Sequence, residues 1–198
     1  MISYNESLKI LKETNALLEG HFILSSGLHS DQYVQCAKLL SYPKKAEVIC
    51  AALAEKIKNN FNKIDIVLSP ALGGIVVGYE IGKQLNIQTI FAERENGKLV
   101  LRRGFNILPD SNVLIVEDVI TTGKSALECS KIVKINKAKL VGYACIIDRS
   151  DNNVLIKEKI ISQIMINMVV FKENELPDEL IKTPAIKPGS RNLSNDQN

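Results

Sequence analysis

The sequence has few of the residues that bind metals or crosslink secreted domains. Its 198 residues include only four cysteines and two histidines, and no two cysteines stand at C-x-x-C spacing. This pattern argues against a zinc site, a redox motif and a disulfide-held fold. We expect the four thiols to be reduced and mostly buried.

The chain also lacks a long apolar segment. Its beginning, MISYNESLKILKE, has no hydrophobic stretch after a basic start, so no signal peptide is predicted. The longest run without a charge, residues 66–79, is too short for a membrane span and contains Pro70 and three glycines. We therefore expect a soluble, cytoplasmic protein with no membrane partner.

The chain also carries little net charge. The formal net charge is +3, and the basic residues are dispersed along the chain, with Arg102 and Arg103 as one adjacent pair. Nucleic-acid-binding proteins usually carry a concentrated basic surface, so we expect no nucleic-acid partner. With 45% hydrophobic and 24% charged residues, the composition predicts one globular domain over residues 1–198.

What the chain does contain begins with a helix signal. Ser3 and Glu6 form a capping box, which predicts a first helix. Four leucines would supply its apolar face: Leu8, Leu11, Leu17 and Leu18. The following stretch, EGHFILSSGLHSDQYVQ, predicts extended chain interrupted by a Ser-Ser-Gly turn.

Strand and helix patterns then alternate. Pro43 suits the first turn of a second helix, with an apolar stripe of Ala46, Ile49, Cys50, Leu53 and Ile57. Strands are predicted over residues 64–69, 87–92, 113–116 and 140–147, and helices over residues 74–85 and 124–134. This rhythm predicts an α/β fold with a doubly wound, mostly parallel central sheet flanked by helices.

Three segments depart from this rhythm. A hairpin with an Asn96-Gly97 turn interrupts the alternation. The region after Ser150 is compatible with a helix followed by a strand. The polar end, about residues 190–198, is predicted to be disordered.

The stretch VLIVEDVITTGKSALE carries the most specific chemistry. It ends like a P-loop, but the position five residues before Gly123 is Asp118, whose carboxylate would repel phosphate. The pattern instead offers a buried strand, two acids and a helix start whose N–H groups can bind one phosphate. Because Glu117 and Asp118 can accept hydrogen bonds from hydroxyls, the segment suggests a phosphorylated sugar as ligand. The alternative is an ordinary strand-to-helix turn with a threonine cap.

Three further segments could contribute to the same site. Residues 71–74, with two adjacent glycines, could approach an anion or could merely pack. Residues 91–105 carry four cations that could cover a polyanionic leaving group, or could form a solvated hairpin. Asp148 and Arg149 follow a strand, where Arg149 could grip a carboxylate or could form a surface salt bridge.

Together these motifs resemble a known family. VLIVEDVITTGKS is similar to the phosphoribosyl-diphosphate signature of the type I phosphoribosyltransferases. With LLEGHFILSSGLHSDQYVQCAKLL, SPALGGIVVG, FAERENGKLVLRRGF, CIIDRSD and AIKPGSR, the chain resembles the orotate phosphoribosyltransferase family over residues 16–191. The resemblance implies the type I fold with a small N-terminal hood region (about residues 1–40) on the base side and a mobile catalytic loop (about residues 93–106).

The resemblance also implies an activity and its residues. The enzyme would transfer phosphoribosyl from phosphoribosyl diphosphate to orotate, with Mg²⁺ carried mainly by the diphosphate and no dedicated protein metal site. Thr121 and Arg149 would bind orotate, and Lys98 and Asp118 would be catalytic. The residues implied for phosphoribosyl diphosphate are Arg94, Lys98, Glu117, Asp118, Val119, Ile120, Thr121, Thr122, Gly123, Lys124 and Ser125.

Some points stay open at the level of sequence. Ser25 stands where many relatives have lysine, and Arg102 or Arg103 could replace Lys98. The family is expected to form a homodimer that shares the catalytic loop across the interface. Two other functions remain possible: a phosphoribosyltransferase for uracil or a purine, and a non-catalytic regulator with the same fold.

Overall fold

The computed structural model describes residues 2–150 and 154–188. A 3-10 helix (Glu173–Glu175) precedes the last α-helix. The remaining elements, in chain order, are α1 (Tyr4–Glu13), β1 (Leu17–Ile23), β2 (His29–Val34), α2 (Cys36–Leu40), α3 (Pro43–Lys58), β3 (Ile66–Pro70), α4 (Gly73–Leu85), β4 (Gln88–Glu95), β5 (Lys98–Leu101), β6 (Asn112–Ile120), α5 (Lys124–Ile135), β7 (Lys139–Asp148), β8 (Ile160–Met165), β9 (Val170–Phe171) and α6 (Asp178–Ile181).

The centre of the molecule is a six-stranded sheet. Its strand order is β5-β4-β3-β6-β7-β8, and every neighbouring pair is parallel except β4 with β5. The antiparallel pair is the predicted hairpin, with Glu95 opposite Lys98 around the Asn96-Gly97 turn. The predicted α/β class with a mostly parallel sheet is confirmed.

Both faces of the sheet are covered by helices. Along β6, Leu114 and Val116 belong to one buried cluster, together with residues of α3 and α4. Val113 and Ile115 point the other way, into a cluster with α5. A strand buried on both faces explains why the sequence shows a continuous apolar run rather than an alternation.

The helices follow their sequence signals, with one exception. The Ser3–Glu6 capping box is present at the start of α1, and Pro43 begins α3, whose predicted apolar stripe is buried. The prediction that Leu17 and Leu18 extend the first helix is wrong, because both lie in β1. Asn15 adopts a φ of 54°, in the left-handed region, and such a residue ends a helix.

A second, smaller sheet is formed near the N-terminus. β1 and β2 form an antiparallel hairpin around the predicted Ser-Ser-Gly turn, and β9 pairs with β2. Gly27 in this turn has a φ of 83°, and its N–H donates to the Leu24 carbonyl over 2.9 Å. This three-stranded sheet forms a small structure beside the central one.

Two sequence predictions about boundaries need correction. The central strand was predicted to end before the acids, but β6 continues to Ile120 because its pairing with β7 extends to Asp148. A helix after Ser150 is not observed among residues 154–159, and the next element in the described chain is β8. The predicted disordered end, residues 190–198, lies outside the described residues.

None of the helices in the described ranges is both long enough and apolar enough to span a bilayer. All four cysteines are buried, as predicted, and none is joined to another in the described chain.

Candidate active site

Two neighbouring carboxylates lie near the C-terminal end of β6, the edge at which open α/β sheets bind ligands. Glu117 and Asp118 are both half-buried. Burial raises the pKa of Glu117 to about 8, and the charge of Asp118 adds to this effect. Burial also raises the pKa of Asp118, although the Val119 N–H, which donates to Asp118 Oδ1 over 2.9 Å, opposes the shift. Hydroxyl groups of a ligand would stabilise the ionised forms of both acids.

Residues 121–125 include the connection between β6 and α5 and the first two residues of the helix, and they leave its start open to a ligand. Gly123 precedes α5 with a φ of 75°, and the N–H of Lys124, the first residue of the helix, donates to Thr122 Oγ1 over 3.4 Å. The other N–H groups of the first turn remain available to an anion. Thr121, Thr122 and Lys124 are exposed beside them, and the first turn contains no acidic residue. This loop can bind a phosphate group.

Residues 155 and 156, which follow β7 in the chain, pack against the loop between β6 and α5. The Leu155 N–H donates to the Thr122 carbonyl over 3.1 Å. A Cβ on Gly123 would stand 2.7 Å from Cγ1 of the buried Ile156. Glycine is thus required here both by the left-handed backbone and by the close packing. The sequence contains no local signal for Ile156, because its contact joins distant parts of the chain.

The turn at residues 71–74 lies directly against Asp118 and the backbone of β6. A Cβ on Gly73 would stand 2.7 Å from Asp118 Oδ2, and a Cβ on Gly74 would stand 3.2 Å from the Val116 carbonyl oxygen. The Ala71–Leu72 peptide bond is cis. The close approach at Gly73 shows that the tertiary structure brings this glycine-containing turn beside Asp118.

Arg149 lies at the end of β7, beside the same loop. Its backbone N–H donates to the Ile120 carbonyl over 2.8 Å, and its side chain is half-buried. The Nε atom is buried without a hydrogen-bond partner, and burial lowers the pKa of the guanidinium. An arginine in this condition is a suitable partner for an anionic ligand. The surface salt bridge considered as the alternative is not found within the described chain.

Asp148, the neighbour of Arg149, has a different role. Its side chain is buried, and its Oδ1 accepts a hydrogen bond from the Ser150 N–H over 2.8 Å. Its carbonyl accepts from the Ile166 N–H over 2.9 Å. Asp148 therefore stabilises the turn that carries Arg149.

The arginines of the β4–β5 hairpin are held by carboxylates. All three form ion pairs with glutamates, and two of these ion pairs are close and bidentate. The pairs are Arg94 with Glu128 at 3.0 Å, Arg103 with Glu93 at 2.8 Å and Arg102 with Glu95 at 3.7 Å. Glu128 follows Lys124 by one helical turn, but no signal in the sequence marks it as the partner of Arg94, which is distant in the chain.

Lys98 differs from these arginines. It is exposed at the start of β5, and no carboxylate within residues 2–150 and 154–188 forms an ion pair with it. Arg94 also donates to the Gly97 carbonyl over 2.7 Å, which ties the hairpin turn to α5. Within the described chain, no hydrogen bond or ion pair joins Arg94 or Lys98 to residues 117–125, and the carboxylate that Arg94 contacts is Glu128 of α5.

The N-terminal region also reaches the site. The Sγ of Cys36, the first residue of α2, lies 3.8 Å from the Asp118 carbonyl oxygen. Burial raises the pKa of this thiol well above its ordinary value, so it remains protonated at neutral pH. Cys36 therefore serves as a packing residue under Asp118.

The chain matches the phosphoribosyl transferase domain over residues 40–175. An orotate phosphoribosyltransferase of Caldicellulosiruptor saccharolyticus is 47% identical over 186 residues, which cover 94% of this chain and 96% of the relative. An orotate phosphoribosyltransferase of Chlorobaculum parvum is 46% identical over 187 residues, with the same coverage of both chains.

Solved structures support the fold. The crystal structure of orotate phosphoribosyltransferase from Aeropyrum pernix superposes with a TM-score of 0.65 at 24% identity, covering 80% of this chain and 92% of that one. The UMP synthase of Leishmania donovani has a TM-score of 0.70 at 18% identity, covering 83% of this chain and 37% of that one. Together with the sequence relatives, the acid pair and the phosphate-type loop, these matches show that the chain belongs to the orotate phosphoribosyltransferase family.

Proposed function

We propose that the chain transfers the 5-phosphoribosyl group of 5-phospho-α-D-ribose 1-diphosphate to N1 of orotate. The products are orotidine 5′-phosphate and diphosphate, in de novo pyrimidine biosynthesis. The observation that carries this proposal is the 46–47% identity, over 94% of the chain, to relatives named for the activity. The free, buried cysteines support a cytoplasmic location, because thiols stay reduced there.

The phosphorylated sugar would bind at the end of β6. Glu117 and Asp118 would accept hydrogen bonds from the ribose hydroxyls, which favour the ionised carboxylates. The 5-phosphate would bind to the open N–H groups and hydroxyls of residues 121–125. Val119 and Ile120 would contribute their backbone, since the Ile120 side chain is buried in the core.

Orotate would bind on the Arg149 side of the loop. Its carboxylate suits a guanidinium, which can donate two parallel hydrogen bonds. The buried, unpartnered Nε of Arg149 supports this role, because an anionic ligand would relieve its desolvation. The exposed hydroxyl of Thr121 would contact the base next to it. A neutral base such as uracil would leave the guanidinium unpaired, which favours orotate.

Catalysis of this reaction depends more on stabilising the charges that develop in the transition state than on transferring protons. Positive charge develops at the anomeric carbon while negative charge grows on the departing diphosphate, and orotate N1 can enter as an anion. Asp118 would hold the ribose as its ring flattens. Lys98, whose ammonium has no carboxylate partner in the described chain, would meet the leaving group, with Arg94 as a second cation once released from Glu128.

Mg²⁺ would enter with the diphosphate. Among the described residues no group of three His, Cys, Asp or Glu side chains converges on one point. The site does offer the oxygens of Glu117 and Asp118, ligands of the kind that Mg²⁺ prefers. These two side chains would contact a metal held chiefly by the substrate, and the ion would neutralise charge on the diphosphate.

We also propose that the enzyme is a homodimer that shares the catalytic loop. The outer face of α4 and its preceding residue expose Leu72 (83%), Val76 (50%) and Tyr79 (69%) at helical spacing. An apolar stripe of this kind on a helix is typical of an interface. It adjoins the 71–74 turn, so a second copy bound there would lie beside the active site.

The decisive experiment is a spectrophotometric assay of orotate consumption with phosphoribosyl diphosphate and Mg²⁺. Uracil, adenine and hypoxanthine are assayed in parallel at the same concentration. Of the four bases, we expect only orotate to be turned over. In Asp118→Asn we expect kcat to fall at least tenfold, which corresponds to an increase of about 1.4 kcal/mol or more in the activation barrier. Turnover of another base without orotate would show a different substrate. Binding of DNA without any turnover would indicate the regulator.

A further inference from the structure

Asp118 lies against a residue that has no side chain. A Cβ added to Gly73, the first residue of α4, would stand 2.7 Å from Asp118 Oδ2 and 2.8 Å from Oδ1. Non-bonded atoms in proteins do not pack this closely, so any side chain at position 73 forces either the turn or the carboxylate to move.

The turn has little freedom to make room. A Cβ on Gly74 would stand 3.2 Å from the Val116 carbonyl oxygen, so this part of the turn already rests on β6. The Ala71 N–H donates to the Ala92 carbonyl over 2.8 Å, which ties the turn to β4. The Asp118 carboxylate, in contrast, is the end of a rotatable side chain. A side chain at position 73 would therefore displace the carboxylate and leave the fold intact.

We propose that Gly73 is a positioning residue, whose missing side chain lets the Asp118 carboxylate lie against the 71–74 turn and meet the sugar hydroxyls. The inference rests on the proposed function, in which Asp118 binds the ribose. Misplacement of a substrate-binding group by about 1 Å can cost two orders of magnitude in rate.

The test begins with Gly73→Ala. We expect the dissociation constant for phosphoribosyl diphosphate, measured by calorimetry, to rise at least tenfold while the circular dichroism spectrum is retained. Gly82→Ala is the matched control, since its Cβ would collide with the Thr89 hydroxyl at the other end of α4. The control should lower the melting temperature and leave the affinity for phosphoribosyl diphosphate unchanged.

A double-mutant cycle separates positioning from general damage. In an Asp118→Ala background no carboxylate remains to be displaced, so adding Gly73→Ala should change the dissociation constant less than twofold. If Gly73→Ala alone fails to fold, Asp118→Ala should restore folding. Wild-type affinity of Gly73→Ala, an equal loss in both backgrounds, or no restored folding would overturn the proposal.

Failure of the proposed function has a different signature. In that case the wild-type protein would not consume orotate, whatever the outcome of the calorimetric cycle. A wild-type enzyme that consumes orotate and needs Asp118, but tolerates alanine at position 73, would refute this inference alone.

Discussion

At the scale of single residues, Glu117 is the most unusual group of the site. Burial and the neighbouring Asp118 raise its pKa to about 8, so the free protein holds a large protonated fraction at pH 7. Ribose hydroxyls that donate hydrogen bonds would favour the ionised carboxylate. Binding of the sugar should therefore release a proton.

This predicts a pH-dependent affinity. The dissociation constant for phosphoribosyl diphosphate should fall by up to tenfold per unit as the pH rises from 7 towards 8, and should level off above that. Calorimetry in buffers with different ionisation enthalpies would detect the released proton. Glu117→Gln removes the titrating group and should flatten the profile. An equally steep profile in this variant would assign the proton to another group.

The same group affects stability. Its folded-state pKa lies above the unfolded value, so folding opposes its ionisation and wild-type stability falls between about pH 4.5 and 8. Glu117→Gln should be more stable than the wild type at pH 9, by at least about 1 kcal/mol, and similar to it at pH 4. Urea unfolding at both pH values measures this. The prediction would be contradicted if the free energies of unfolding of Glu117→Gln and the wild type differed by the same amount at pH 4 and at pH 9.

Arg149 should determine the affinity for orotate. Replacing it with alanine removes the cation that would pair with the orotate carboxylate, so KM for orotate should rise at least tenfold while binding of phosphoribosyl diphosphate is retained. Arg149→Lys should restore only part of the loss, because an ammonium cannot form the two-pronged pair. Steady-state kinetics with each substrate varied separately would measure both effects. An unchanged KM for orotate would refute the assignment.

At the scale of elements, the β4–β5 hairpin presents one cation, Lys98, that has no carboxylate partner in the described part of the chain, beside three arginines that are paired. Arg103 donates two hydrogen bonds of 2.8 Å to Glu93 and lies over the Phe91 ring, 5.7 Å from its centroid. It therefore stabilises the hairpin. Lys98 has no such partner within the described ranges, which makes it available to the leaving diphosphate.

The two residues should respond differently to alanine. Lys98→Ala should lower kcat at least tenfold, about 1.4 kcal/mol or more, with little change in melting temperature. Arg103→Ala should act chiefly on the melting temperature, since it removes a partner of Glu93. Initial rates and thermal unfolding of both variants provide the comparison. Full activity in Lys98→Ala with loss in Arg103→Ala would reverse the roles.

At the scale of the whole molecule, the exposed face of α4 predicts self-association. Tyr79→Asp places a charge in the middle of this apolar stripe and should convert a dimer to a monomer with much lower activity. Ile135→Asp is the matched control, because Ile135 is 77% exposed on α5, away from the stripe. Sedimentation velocity and the orotate assay measure both properties. A Tyr79→Asp variant that stays dimeric would exclude this face.

The sequence alone predicted the elements whose signals are local. The apolar stripe of α3, the Ser3 capping box and the Asn96-Gly97 turn are confirmed, because helical periodicity, capping and turn chemistry act between residues close in the chain. One local signal, the spacing of leucines after the first helix, led to a wrong prediction. Leu17 and Leu18 continue the spacing of α1, but the left-handed Asn15 ends the helix and pairing with β2 takes over.

The chemistry of the acid pair and its loop could likewise be inferred from sequence, since residues 117–125 are consecutive and one strand-to-helix connection carries them all. The surroundings of that segment depended on the tertiary structure. Gly73 against Asp118, Ile156 against Gly123 and Glu128 against Arg94 are contacts between distant parts of the chain. Parallel strands bring such parts to the same edge of a sheet, and no local pattern encodes which side chains meet there.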